Sequence, residues 1–417
     1  MHKIERLLQT LAPKGVEFKT LEEVFEIKNG YTPSKNNPEF WEKGTIPWFR
    51  MEDIRENGRI LKDSIQHITP KALKGKKLFP KNSIIISTTA TIGEHALLIV
   101  DSLANQRFTF LSKKANCDLA LDMKFFFYQC FLLGEWCKNN INVSGFASVD
   151  MTAFKKYKFP IPPLEVQQEI VKILDAFTEL NTELNTELKA RKKQYEYYQN
   201  MLLDFDNIHS NHKDAKTYPK RLKTLLQTLA PKGVEFRKLG EVCDFQKGKS
   251  ITKKAVTLGK VPVISGGRQP AYYHNEANRS GETIAISSSG VYAGYVSYWD
   301  IPVFLADSFS VSPKQKTLMP KYLFHYLTTQ QDAIHATKST GGIPHVYSKD
   351  LQNFLIPIPP LEVQQEIVKI LDQFSILTTD LLAGIPAEIK ARKKQYEYYR
   401  EKLLTFKPLT PHKEVKK

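Results

Sequence analysis

The string IPPLEVQQEIVKILD occurs twice, at 161–175 and again at 358–372. A letter-for-letter duplication inside one chain calls for two copies of one structural unit, and it constrains the fold more than any composition does. In each copy a Pro pair precedes Glu165 and Glu169, or Glu362 and Glu366. That order predicts a helix start, because Pro is tolerated in the first turn and carboxylates complement the positive end of the macrodipole. Apolar residues then follow in steps of four and three: Val166, Ile170, Ile173, Phe177, Leu180 and Leu184, and Val363, Ile367, Ile370, Phe374, Leu377 and Leu381. A period of about 3.5 residues is a coiled-coil seam. An ordinary core-facing helix carries a similar stripe, but two identical stripes in one chain favour helix pairing. Followed through KARKKQYEYY (189–198 and 390–399), each helix is expected to run about 40 residues and about 60 Å.

A second block, LLQTLAPKGVEF, occupies 7–18 and 225–236, and the match continues from Leu21, Glu23 and Val24 to Leu239, Glu241 and Val242. The repeating unit is therefore block, variable insert, long helix. Both inserts mix short β-type runs (83–87, 96–100 and 108–111; 261–264, 283–287 and 295–298) with a helix (121–137; 321–334), and turn signals sit at Asn29-Gly30, Asn57-Gly58 and Pro80. The fold class expected is mixed α/β: two α/β domains joined by two long antiparallel coiled-coil helices, with an internal pseudo-two-fold repeat. The expected segments are a first domain over 1–158, a first long helix over 159–204, a linker over 205–223, a second domain over 224–355, a second long helix over 356–406 and a tail over 407–417. The polar linker argues for antiparallel helices, since a parallel pair would need it to retrace most of ~60 Å at nearly full extension. Where the first helix carries TELNTELNTEL (178–188), the second has Gly384-Ile385-Pro386. A proline there kinks or breaks a helix, so a straight second helix is not expected.

The 417 residues are too many for one core. Lys and Arg number 60 against 44 acids, for a net charge of +16 and a pI near 9.4, which points to a polyanionic partner. Cys117, Cys130, Cys137 and Cys243 have neither CxxC spacing nor histidines at zinc intervals, and they read as reduced, buried thiols of a cytoplasmic protein. No stretch reads as a secretion signal or a membrane span.

Catalytic motifs are not found. QKGKS (246–250) has Cys243 where a phosphate-binding loop needs its first glycine, and His325, His335 and His345 are spaced unlike helical zinc ligands. No catalytic residue, metal ligand or cofactor is assigned. The inserts do combine cations, amides and aromatics. The DNA-binding candidates are Trp48, Arg50, Lys74, Lys76, Lys77, Asn105, Gln106 and Arg107 in the first insert. Those in the second are Lys247, Lys249, Lys253, Arg268, Gln269, Tyr272, Tyr273, Arg279 and Tyr295. Arg, Asn and Gln match guanine and adenine edges, and Lys serves phosphates. The duplicated KARKKQYEYY suggests two equivalent docking places for one kind of partner, with Arg191, Tyr195, Tyr197, Tyr198, Arg392, Tyr396, Tyr398 and Tyr399 as candidates.

With PKGVEF before each insert, NGYTPSK (29–35), IPWFRMEDI (46–54), ANQRF (104–108) and the PPLEVQQEIV junction at both helix starts, the chain resembles the specificity subunit of Type I restriction-modification systems over nearly its whole length. The resemblance implies that each insert is a target-recognition domain reading half of an asymmetric, bipartite double-stranded DNA site. It also implies that the helices act as a ruler, and that the partners are two methyltransferase (modification) subunits and restriction (motor-nuclease) subunits, which hold the catalytic groups. Two other classes compete. A free-standing DNA modification or restriction enzyme requires a methyl-donor or metal site, and a coiled-coil adaptor predicts no salt-dependent DNA affinity.

Overall fold

The computed structural model describes residues 2–142, 147–205, 218–314, 316–339, 342–379 and 384–409. The chain divides into two compact units, Met1–Glu183 with Lys390–Lys417, and Leu184–Ile389. The duplicated blocks explain how each is closed. In the first unit the leading block forms helix His2–Leu11 and strand Glu17–Thr20, which pairs antiparallel with Lys158–Ile161, the strand just before the long helix. In the second, helix Lys220–Leu229 leads to strand Glu235–Lys238, which pairs the same way with Leu355–Ile358. The repeated sequences at the two ends of each insert thus meet in a two-stranded ribbon.

Behind each ribbon a buried glutamine fixes the helix start. Gln167 Nε2 donates to the Ala120 and Pro162 carbonyls at 2.9 and 2.7 Å, and its Oε1 accepts the Asp122 N–H at 2.8 Å. Gln364 repeats this with Thr317, Pro359 and the Met319 N–H at 2.8, 2.7 and 2.9 Å. Both side chains are fully buried, so these bonds satisfy an amide that would otherwise be costly to desolvate.

The first insert holds a five-stranded sheet in the order Phe25–Asn29, Phe108–Lys113, Ile84–Ser87, His95–Leu98, Ile60–Leu61. Ile84–Ser87 is buried at every residue because both faces are covered: Ile84 and Ile86 pack under the Phe-rich helix Met123–Asn139, and Ile85 faces a second cluster around Phe49 and Phe110. The second insert repeats the order with Cys243–Lys247, Ser308–Pro313, Thr283–Ser287 and Val296–Trp299. The helix expected over 121–137 begins later because Asp122 is its N-cap, accepting from the Lys124 and Phe125 N–H groups. The one expected over 321–334 is two helices, Pro320–Thr329 and Gln331–Ala336. The Thr328 and Thr329 hydroxyls bond back to the His325 and Tyr326 carbonyls at this break, which offers the backbone an alternative to a continuous helix.

Leu164–Leu203 is one helix of 40 residues. Its apolar stripe serves two purposes in turn. Val166, Ile170 and Leu174 belong to the insert core, and Phe177 stacks on Tyr399 at 5.6 Å. Leu403 and Leu404 join the same core as Val166, so within the first unit the two helical segments run antiparallel. In the second unit Tyr198 stacks on Phe374 at 5.1 Å, while Leu202 and Leu203 share a core with Val363 and Ile367, again antiparallel. The second copy is described as two helices, Leu361–Thr379 and Ile385–Leu404, with Gly384 in a bend and Pro386 in the new first turn. Leu381 of the expected seam lies outside the described residues.

Cys130, Cys137 and Cys243 are buried, and burial pushes the Cys137 and Cys243 thiols up to about 12. Cys117 is only half-buried, which corrects the expectation for that residue. Among the described residues no helix is long and apolar enough to cross a membrane.

Candidate nucleic-acid interface

In the first unit strand Ile46–Phe49 runs parallel to Leu103–Ala104, with Phe49 opposite Ala104, and the Asn105 N–H donates to the Phe49 carbonyl at 3.1 Å. Beyond this paired end the chain continues as Arg50 on one side and Asn105-Gln106-Arg107 on the other. Gly30 lets them close up. A Cβ there would lie 2.2 Å from the Asn105 carbonyl oxygen, so the Asn29-Gly30 signal marks a close backbone approach. The result is a cleft of about 310 Å³ lined by Lys35, Arg50, Arg55, Asn105, Gln106 and Arg107 together with one carboxylate, Glu52, 3.9 Å from Arg50 Nε.

The cleft is rich in hydrogen-bond donors. Asn105 Oδ1 accepts the Arg107 N–H at 3.0 Å, and Gln106 Oε1 accepts from Thr32 Oγ1. Both amide oxygens thus accept hydrogen bonds from within the protein. Arg50 is held by Asp53, a fully buried carboxylate that accepts the Arg50 N–H at 2.6 Å and the Ile65 N–H at 2.7 Å. The Arg50 guanidinium lies over Trp48 at 5.9 Å, and its buried Nε finds no acceptor among the described residues. A buried donor of this kind needs water or a ligand to satisfy it.

The other candidates in this unit separate. Trp48 is 2% exposed, donates its Nε1–H to the Tyr31 carbonyl at 2.9 Å and packs edge-on against Trp41. It lines the same cleft with little of its surface exposed and supports Arg50 from below. Lys74, Lys76 and Lys77 are exposed. Lys76 and Lys77 border a different cavity of about 640 Å³, with the Lys76 ammonium 4.9 Å from the Tyr31 ring. Lys35 and Arg55 were missed, although both lie in or beside the NGYTPSK and IPWFRMEDI strings.

The second unit builds the same edge with different side chains. Ile264 pairs with Leu305, the Ala306 N–H donates to the Ile264 carbonyl at 2.8 Å, and a Cβ on Gly248 would lie 2.4 Å from the Ala306 carbonyl oxygen. The Ser288 N–H donates to the Asp307 carbonyl at 3.0 Å, as the Thr88 N–H does to that of Arg107 at 3.2 Å. Asp307 and Arg107 therefore hold one backbone position, and Gln106 is an extra residue in the first loop. Asp307 is exposed and its Oδ2 accepts from Ser289 Oγ. Composition alone overlooked it, and the one-residue difference between the loops hides the match in the sequence.

Arg268 is exposed, with its guanidinium 4.9 Å from the Tyr292 ring and 5.6 Å from that of Tyr295. Lys247, Lys249, Lys253, Gln269 and Tyr273 are exposed, and Tyr272 is half-buried against Val263 and Phe304. Lys249 adjoins the Asp307 loop, its N–H donating to the Leu305 carbonyl at 2.8 Å. Arg279 is a correction. Its guanidinium donates to the Gln246, Lys247 and Asn278 carbonyls at 3.0, 2.9 and 2.8 Å and to Ser310 Oγ at 2.9 Å. Burial lowers its pKa, and these bonds spend its donors on the fold.

The tyrosines of the duplicated helix block also divide. Tyr195 Oη is 3.4 Å from His325 Nδ1, and burial pushes this phenol up to about 12. Tyr198 covers Phe374, and Tyr396 and Tyr399 cover Phe177. These four pack within their own units. Tyr197 and Tyr398 are 63% and 58% exposed. Arg191 bonds Gln194 at 3.1 Å and Arg392 bonds Gln395 at 3.3 Å, both along their own helices. His325 is a packed imidazole, with Nε2 3.2 Å from Asp372 Oδ1. Among the described residues no His, Cys, Asp and Glu cluster is arranged to hold a metal.

The family described as Type I restriction modification DNA specificity domain matches residues 13–192 and 231–391. The chain belongs to this family. Its relatives include the Type I restriction enzyme EcoprrI specificity subunit of Escherichia coli, 40% identical over 396 residues that cover 91% of this chain and 93% of that one. The EcoR124I/EcoR124II specificity subunit of the same species is 33% identical over 288 residues, or 62% and 65% of the two chains. The fold is similar to that of the S subunit of a Type I system from M. genitalium, with a TM-score of 0.57 at 20% identity over 93% of this chain and 95% of that one. A chain from a structure on assembly and conformational transition of the type I system gives 0.59 at 20% identity, over 95% and 98%. As a specificity subunit the chain is a DNA-recognition component and not a catalytic one.

Proposed function

We propose that the two inserts each read one half of an asymmetric, bipartite duplex DNA site, through the Arg50 and Asn105-Gln106-Arg107 edge in the first and the Asp307 and Arg268 edge in the second. The observation that supports this reading is the recurrence of one backbone edge, closed by Gly30 or Gly248, with exposed polar side chains of the kinds that match base edges at the same place in both units. The recognition domains are 1–158 and 224–355. Segments 159–204 and 356–406 form the spacer, with 205–223 as linker and 407–417 as tail. Two methyltransferase subunits dock on the faces marked by Tyr197 and Tyr398, beside Lys192, Lys193, Lys393 and Lys394. Restriction subunits join that assembly in the cytoplasm, and the methyl donor and catalytic groups belong to these partners.

The spacer provides the test. Thr178 to Leu188 repeats the unit TELN, so deleting 182–185 restores the local sequence while shortening the helix by about 6 Å. That is just under two base-pair steps, with part of the change absorbed by flexible DNA. Sequencing of methylated sites made by the deletion variant with its partners is expected to show the same two half-sites with a gap shorter by about one or two base pairs. An unchanged gap at full activity would refute the ruler.

A further inference from the structure

Arg107 and Asp307 occupy one backbone position with opposite charge, while each loop also holds a group of the other sign, Glu52 in the first cleft and Lys249 beside Asp307. The first loop adds guanidinium groups from Arg50 and Arg55 and two amides whose oxygens are already bonded. The second places Ser265 where the first has Arg50, because Ile264 and Phe49 accept the equivalent N–H groups, and Ala306 where the first has Asn105. Its Asp307 carboxylate is an acceptor, to which Ser289 Oγ donates among the described residues. Base edges in the major groove come in the matching kinds. Guanine offers two acceptors, O6 and N7, which suit a forked donor, and cytosine N4 and adenine N6 offer donors, which suit a carboxylate.

We propose that the two units read base edges of opposite hydrogen-bond polarity: Arg107 takes the O6/N7 edge of a guanine in one half-site, and Asp307 accepts from the exocyclic amine of a cytosine or adenine in the other. This rests on the reading of the two inserts as DNA-recognition domains. A carboxylate near phosphates is repelled unless a base amine compensates it, so Asp307 acts chiefly by rejecting wrong bases. Lys247 and Lys249, exposed beside the same loop, supply the backbone contacts that offset its charge.

The test uses the full chain assembled with its modification partners, read by methylation-aware sequencing. For wild type a bipartite motif is expected; if no sequence preference exists at all, the underlying DNA-recognition reading fails, which is distinct from failure of the polarity assignment. R107Q is expected to relax one G·C position of one half-site about ten- to a hundredfold and leave the other half intact. D307N is expected to relax one position of the other half-site by a similar factor, and D307R to move the preference at that position to guanine on the contacted strand. Both side chains are exposed, and unchanged melting of the variants serves as the folding control. Unaltered base preference in R107Q and D307N, relaxation by R107Q at an A·T pair, or D307R leaving the preferred base as it was would each overturn the proposal.

Discussion

The two units share their supporting parts and differ at the edges proposed to read DNA. Gln167 and Gln364 make the same three hydrogen bonds to the same kinds of backbone group, and Gly30 and Gly248 admit the same close approach. At the edge they support, Arg107 in the first unit corresponds to Asp307 in the second, and the first loop has one residue more, Gln106. The difference also reaches the core. Asp175 is met by Lys124 at 2.6 Å and the Tyr128 hydroxyl at 2.7 Å, whereas Asp372 is met by Lys321 at 2.8 Å and His325 at 3.2 Å. Burial raises the Asp372 carboxyl, but the bonds from His325 and Lys321 outweigh it and hold the group below its usual range. Duplication thus preserved what anchors a helix to its insert and released what faces a ligand.

The largest test of that likeness is the glutamine pair. Q167L and Q364L each strip the amide from one buried carbonyl and from a part-buried carbonyl and N–H, and each is expected to cost its own unit about 2–4 kcal/mol. Hydrogen exchange resolved by unit is the measurement, and costs differing by more than about 2 kcal/mol would end the claim of equivalence. Next come G30A and G248A. A Cβ would meet backbone oxygens at 2.2 and 2.4 Å, which forces the loop to shift and costs about 1–3 kcal/mol. Each variant is expected to damage one half-site only, read as methylated motifs.

A third test, worth about 2 kcal/mol between pH 7 and pH 5, breaks the likeness deliberately. His95 is buried beside Phe127 and Phe131, and burial together with the Arg59 and Arg400 guanidiniums lowers its pKa to about 3. The matching strand position, opposite Ile286 as His95 is opposite Ile86, is Val296. Because the folded pKa lies below the unfolded one, the unfolded chain takes up the proton first. The first unit's stability is therefore fully present above about pH 6.5 and falls by about 1.4 kcal/mol per pH unit below it, down toward pH 3. The second unit has no imidazole at that strand position, but burial also lowers the pKa of its His335, so the H95V variant and not the unit-to-unit contrast isolates the His95 contribution. Exchange at pH 7 and pH 5 should show the first unit alone losing protection through this group, and H95V should remove the pH dependence; equal loss in that variant would assign it elsewhere.

The sequence by itself determined the duplicated architecture, the mixed α/β class, the long helix and the residue strings from which the reading edges are drawn. Exact repeats and apolar periods are local properties, and they survive without knowledge of what packs against them. Tertiary structure alone decided which donors remain for a ligand. Arg268 and Arg279 are the same residue type eleven positions apart, yet one lies over two tyrosine rings at the surface and the other donates to three carbonyls and a hydroxyl. Trp48 and the tyrosines at 195, 198, 396 and 399 were turned inward by partners distant in sequence, while Tyr197 and Tyr398 were not. A side chain's chemistry is written in its residue type, but its direction depends on strand register and on the remote surface that covers it, so only the assembled fold separates a reader from a staple.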